Sequence, residues 1–180
     1  MTASSAKSVA PPSTAPTRAA KGIDPRGPRF GAAITAVLSI AVIALALAAG
    51  TAATLAGRLV QPPFLLFAAI SLLFAWAALA GIQRHPYGLA FRTVVRPRLK
   101  PPVELEDPIP PTFAQGVGFV ITALGIVLHL VGVPYAIVVA AAAAFVAAFL
   151  NSVFAYCLGC QIYLLLARAG VLGHKRPATT

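Results

Sequence analysis

The chain has 180 residues, enough for one domain, yet it is 59% hydrophobic and only 10% charged, with a mean hydropathy of +0.86. That composition excludes a soluble globule, whose surface needs roughly a quarter of its residues charged. A net charge of +10 does not point to nucleic acid either. The cations flank apolar runs, where they meet anionic lipid headgroups, and form no basic face interleaved with aromatic groups.

In chain order, residues 1–21 are rich in Pro, Ser and Ala and bury little, which predicts a disordered tail ahead of a membrane domain at 22–168. The first apolar run covers about 31–55 and lies too far from the start for a cleavable signal, so it reads as a retained span. The second covers 64–82 and is followed by a cytoplasmic loop at 83–112; the third covers 113–131. The fourth covers 135–156, with a helical extension to 167 and a tail at 169–180. Each run meets or nearly meets the 20 or so residues that a spanning helix needs. None shows the two-residue alternation of a membrane barrel, so the spans are predicted to be helices. The expected fold is therefore an all-α membrane bundle of four transmembrane helices.

Orientation follows from the cations. In a four-span arrangement thirteen of the fourteen Lys and Arg fall on one side and only Arg58 on the other. The positive-inside rule makes the crowded side cytoplasmic, with both termini there. The fourth run is too long, since 33 residues from Tyr135 to Ala167 make about 50 Å of helix against a hydrocarbon core of about 30 Å. The excess has to tilt, bend at Gly159 or lie along the interface.

The halves resemble each other. D-P-R-G-P-R-F at 24–30 aligns with D-P-I-P-P-T-F at 107–113, and Phe74-Ala75-Trp76 with Phe154-Ala155-Tyr156. This predicts two tandem helical hairpins related by an axis along the membrane normal. In that register Cys157 and Cys160 correspond to Ala77 and Ala80.

The leading chemical candidate is C-L-G-C, Cys157 to Cys160, near the cytoplasmic end of the fourth span. Two sulfurs at this spacing can form a disulfide, and proximity can favour one thiolate. Simple packing of a small apolar side chain is the competing reading. Metal binding would need three or four ligands, and no second C-x-x-C supplies them. The second candidate is a basic constellation of Arg26, Arg29, Arg84, His85 and Arg92, joined by Arg96, Arg98 and Asp24, able to hold an anion or dock an acidic partner. The competing reading is topology signal and headgroup contact. Within the spans, His129 and Asn151 are the notable polar residues; His129 is placed near the outer surface, within reach of water. A small-residue stripe, Gly118, Thr122, Gly125, His129 and Gly132, is expected to pack the third span against the Ala-rich fourth.

D-P-R-G-P-R-F, R-H-P-Y-G, V-R-P-R-L, P-P-V-E-L-E-D-P and F-A-Y-C-L-G-C together resemble an uncharacterised bacterial integral-membrane family, domain of unknown function 4395, over about residues 22–168. Members look like companions of thioredoxin-like and rhodanese-type sulfurtransferase proteins. The resemblance therefore implies a thiol or sulfur role for Cys157 and Cys160 with a cytosolic partner. Gln161 stands where the resemblance leads to an acidic residue, which takes a proton-handling group from that position.

Three readings follow: a thiol-handling plasma-membrane protein, a small transporter or channel subunit for an anionic sulfur compound acting as a homo-oligomer, or a scaffold without chemistry. No nucleotide-binding glycine loop, nucleophile–base pair or paired carboxylates occur in the sequence. No cofactor, metal or nucleic-acid partner is expected, and the lipid bilayer is the one partner that composition requires.

Overall fold

The computed structural model describes residues 22–172. The expected tail at 1–21, and Lys175 and Arg176 of the other tail, lie outside the described residues. Within them the helices are α1 (Arg26–Ala49), α2 (Leu55–Leu59), α3 (Pro62–Ala80), α4 (Pro86–Ala90), α5 (Ile109–Leu130), α6 (Ala136–Phe154) and α7 (Leu158–Arg168). A π-helical turn at Phe91–Val95 and a 3-10 turn at Arg96–Arg98 follow α4. No strand occurs among the described residues, only an isolated antiparallel bridge between Ile23 and Glu106. Four helices, α1, α3, α5 and α6, are long and apolar enough to cross a membrane, with mean hydropathy between 1.9 and 2.6.

Proline and glycine set the bounds of these helices. α3 and α5 start at Pro62 and Ile109, earlier than their apolar runs, because prolines occupy their first turns. A missing N–H costs nothing there, and a fixed φ favours the helix. α1 stops before Gly50 and α3 before Gly81, whose φ angles of 64° and 84° no other residue adopts as freely. The long fourth run does not continue as one helix, nor does it bend at Gly159. Ala155 takes a left-handed φ of 55°. Tyr156 N–H closes back on the Leu150 carbonyl at 3.1 Å, a hydrogen-bonded stop that ends α6 upstream of the cysteines. α7 is thus a separate helix, and it packs against α5.

The four long helices form a ring. α1 packs most extensively on α6, and α3 on α5; the sequential pairs α5–α6 and α1–α3 complete it, while α3 and α6 barely meet. The small-residue stripe of α5 consequently faces α3 more than α6, which differs from the expectation. A side chain at Gly118 would meet Phe74, and Thr122 donates to Ser71 Oγ at 3.0 Å. Gly125 meets the Ala face of α6, at Ala140, with Phe67 on its other side.

The buried core lies at the end of the ring where the short connections run. Val42, Phe64, Phe67, Ile70, Ile137, Ala140 and Ala141 fill it. His129 is buried there at 5% exposure and stacks on Phe64. Large apolar side chains elsewhere point outward, Leu79 at 89% and Leu72 at 70% exposure, as lipid contact requires.

Arg58 fastens this end. Its guanidinium donates to the carbonyls of Ala52, Leu130 and Ala53 at 2.8, 2.9 and 3.0 Å, joining the α1–α2 connection to the last turn of α5. Arg58→Ala is expected to lower stability by about 1.5–3 kcal/mol, the worth of hydrogen bonds made by a charged group. Arg58→Lys should not restore it, because an ammonium lacks the planar fork. Thermal unfolding in detergent checks both.

Candidate functional site

The opposite end of the ring is open. A cavity of about 1050 Å³ lies between α1, α3, α5 and α6, bordered by the residue 82–96 segment and the start of α7. Its walls are apolar, with Ile70, Leu73, Phe74, Ile121 and the small side chains of α6 from Ala142 to Ala148. At its rim stand Asp24, Gln83, His85, Tyr87, Arg92, Arg96 and Cys157, and Gln115 and Asn151 add amide groups to the lining.

Cys157 and Cys160 lie with their sulfurs within disulfide distance and their Cα atoms 5.2 Å apart. They do not lie along one continuous helix, because α6 ends before Cys157. Cys157 is the N-cap of α7, and its Sγ accepts the Cys160 N–H at 3.3 Å. An unpaired helix N–H and the positive end of the dipole both favour negative charge on such an atom. α7 can approach α5 here because residue 159 is glycine: a Cβ would meet Ala114 at 2.5 Å.

His85 caps α4 in a parallel manner. Its Nδ1 accepts the Tyr87 N–H at 3.3 Å, which places the ring proton of the neutral imidazole on Nε2. The residue is 6% exposed and Nε2 makes no hydrogen bond. Burial lowers its pKa, a shift that the nearby Leu73 carbonyl opposes without reaching hydrogen-bonding geometry. A buried neutral histidine contributes stability that is fully present above its unfolded pKa. That stability is lost as pH falls from there toward the lower folded value. Acidification from pH 7 to 5 is therefore expected to lower the melting temperature more in the native chain than in His85→Gln, a comparison that thermal scans at both pH values make directly.

The arginines divide into groups. Arg26 is committed to Asp24, with Nε and Nη2 on its two carboxylate oxygens at 2.9 and 2.7 Å, and Nη2 also reaches the Lys100 carbonyl at 3.0 Å. This pairing holds the Asp24 carboxyl below its ordinary range and ties the start of α1 to the central loop. Arg29 donates to the Ser152 carbonyl at 3.5 Å, a long contact across to α6. Arg84 is exposed and does not line the cavity. Arg92 does, with Nη2 on the Gln83 carbonyl at 2.9 Å.

Of the candidates named from sequence, the cavity therefore unites Cys157, His85, Arg92, Arg96, Asp24 and Asn151, leaving Cys160, Arg26, Arg29, Arg84 and Arg98 outside its lining. Sequence reasoning missed Tyr87 and Gln115. Tyr87 packs on Gly31 and edge-on against His85, with ring centroids 4.7 Å apart, and Gln115 is a polar residue in an apolar helix, which was a usable signal.

A family model described as a domain of unknown function, DUF4395, matches residues 23–168. No curated protein and no solved structure matches the chain.

Proposed function

We propose that this chain, which belongs to the DUF4395 family, handles thiols or sulfur at the bacterial plasma membrane, through Cys157 and Cys160 and with a cytosolic thioredoxin-like or rhodanese-type partner. The observation that carries the proposal is the sulfur pair itself, at disulfide distance and at a helix N-terminus. Among the described residues every Lys and Arg except Arg58 belongs to this end of the ring, which supports a cytoplasmic location for it and for both termini. A partner thiolate attacks the disulfide to give a mixed disulfide, and a second partner thiol resolves it. The partner leaves oxidised, and Cys157 and Cys160 are left as a dithiol. Alkylation trapping in native membranes tests this: the pair should change between alkylated and protected states with added oxidant or reductant. A pair that never changes state overturns the proposal.

We also read the bundle as two related hairpins. The packing of α1 on α6 and of α3 on α5 is what exchange of the halves requires. Ile23 and Glu106, equivalent in the D-P register, bond reciprocally at 2.9 Å in both directions, as a pair beside a two-fold axis does. Asp24 and Asp107 each accept the N–H two residues on. The ring pair Phe30–Phe91 has a counterpart in Phe113–Tyr163. These correspondences pair Cys157 with His85 and not with Ala77, so both N-caps border the same cavity.

The transporter reading draws on the cavity and its arginines. The packed cluster of Val42, Phe67 and Ile137 occupies the remainder of the bundle, and a path through it would require those side chains to part. The thiol reading needs no such movement.

A further inference from the structure

We propose that the cavity at the basic end holds a membrane-soluble quinone, which reoxidises the Cys157–Cys160 dithiol. This inference rests on the thiol reading and names its electron acceptor.

Three features select that ligand class. The first is the medium: a cavity of about 1050 Å³ with walls of Ile70, Leu73, Phe74 and the alanines of α6 takes a ligand that dissolves in hydrocarbon. It reaches or exceeds the range of about 300–1,000 Å³ that small organic ligands occupy. The second is the hydrogen-bonding inventory. His85 Nε2 is buried and, although the Leu73 carbonyl lies near it, makes no hydrogen bond; with Nδ1 engaged by Tyr87 N–H it is a donor that a better-placed acceptor would satisfy. A quinone presents two carbonyl acceptors and no donor. The amides of Gln115 and Asn151, which line the same cavity, offer further donors for the second oxygen. The third is the neighbouring chemistry, because Cys157 forms part of the wall and a dithiol is a two-electron donor.

The step balances. The two S–H bonds break and one S–S bond forms, oxidising the sulfurs by two electrons. The electron pair passes to the quinone ring, the two protons end on its oxygens, and quinol leaves into the bilayer. His85 Nε2–H stabilises the negative charge that grows on the carbonyl oxygen as the electrons arrive. The two-fold correspondence gives this arrangement a simple origin, in which one N-cap supplies the thiol and its counterpart supplies the donor.

The full chain, reconstituted in nanodiscs of zwitterionic phospholipid and reduced, is to be mixed anaerobically with decylubiquinone. Quinol should appear, read by ultraviolet absorbance, in step with loss of alkylatable thiol, one quinone per chain. His85→Ala should slow this by about tenfold, the equivalent of one hydrogen bond to a charged transition state. His85→Gln should recover much of the rate, because its amide still donates. Ala147→Phe, which narrows the cavity without touching either cap, should slow the reaction as well and covers the case in which His85→Ala fails to fold. If saturating quinone leaves the thiols reduced while diamide oxidises them, the quinone proposal fails and the thiol reading stands. Thiols inert to diamide too would sink the thiol reading itself. Equal rates in the native chain, His85→Ala and Ala147→Phe would show that quinone reacts outside the cavity, overturning the site.

Discussion

Membranes carrying Cys157→Ser together with Cys160→Ser are expected to lose all oxidation of an added thioredoxin-type dithiol, the rate falling to that of membranes without the protein. No other cysteine exists in the sequence to substitute for the pair. The fold should survive, since serine is a strong N-cap in its own right and α6 ends through the backbone at Ala155. The single variants carry more detail. In Cys160→Ser the remaining Cys157 keeps its position at the start of α7, where the N–H of residue 160 meets its sulfur. In Cys157→Ser the remaining Cys160 has no such contact. A helix N-terminus raises the thiolate fraction while lowering intrinsic nucleophilicity, and the net effect is on the order of threefold faster alkylation of Cys157 at pH 7. Bimolecular rates with a small alkylating agent decide the matter. Equal rates would mean that the cap does not tune the thiol, and retained dithiol oxidation in the double variant would end the thiol proposal.

Gly125→Leu is expected to have the largest effect on the bundle itself. Gly125 is where α5 meets both α3 and α6, and a Cβ there would overlap Ala140 Cβ and come within 3.3 Å of Phe67 Cε1. The first obstacle belongs to a short side chain on a rigid helix and cannot swing aside. Overpacking of this kind costs about 1–3 kcal/mol or more, and it would act on a core whose Phe67 and Ala141 are fully buried. Gly125→Ala should already be destabilising, and a second change, Ala140→Gly, should recover most of the loss by removing the opposing methyl. Gly116→Ala is the control, because its added methyl would meet Ala78 at 3.9 Å, an ordinary contact. Melting temperatures of the four variants in one detergent give the comparison. Failure of Ala140→Gly to rescue Gly125→Ala would show that another neighbour sets the limit.

The four spans were legible because hydropathy acts over about 20 consecutive residues and needs no knowledge of neighbours. Their first turns were not, because Pro62, Pro63, Pro110 and Pro111 lower apparent hydropathy while starting a helix well. The cysteine pair was legible as a spacing, but its geometry was not. The sequence offered an uninterrupted apolar run to Ala167, and nothing local required Ala155 to adopt a left-handed φ. The similarity of the halves could be seen in D-P at 24 and 107. In the proposed two-hairpin reading the register near the cysteines differs from the one that F-A-W and F-A-Y suggest, because short apolar words carry little alignment information.

Four helices long and apolar enough to cross a membrane, the places where the cations gather, and two cysteines three residues apart are properties of the linear chain. Each of these follows from the order and chemistry of neighbouring residues. Tertiary structure alone decided that α1 pairs with α6 and α3 with α5, that a cavity opens between them, and that Cys157 and His85 border it from two distant parts of the chain. Such facts depend on which helix faces fit together, and that fit is settled by contacts such as Gly125 on Ala140 and Gly159 on Ala114, made between residues that the linear order keeps apart.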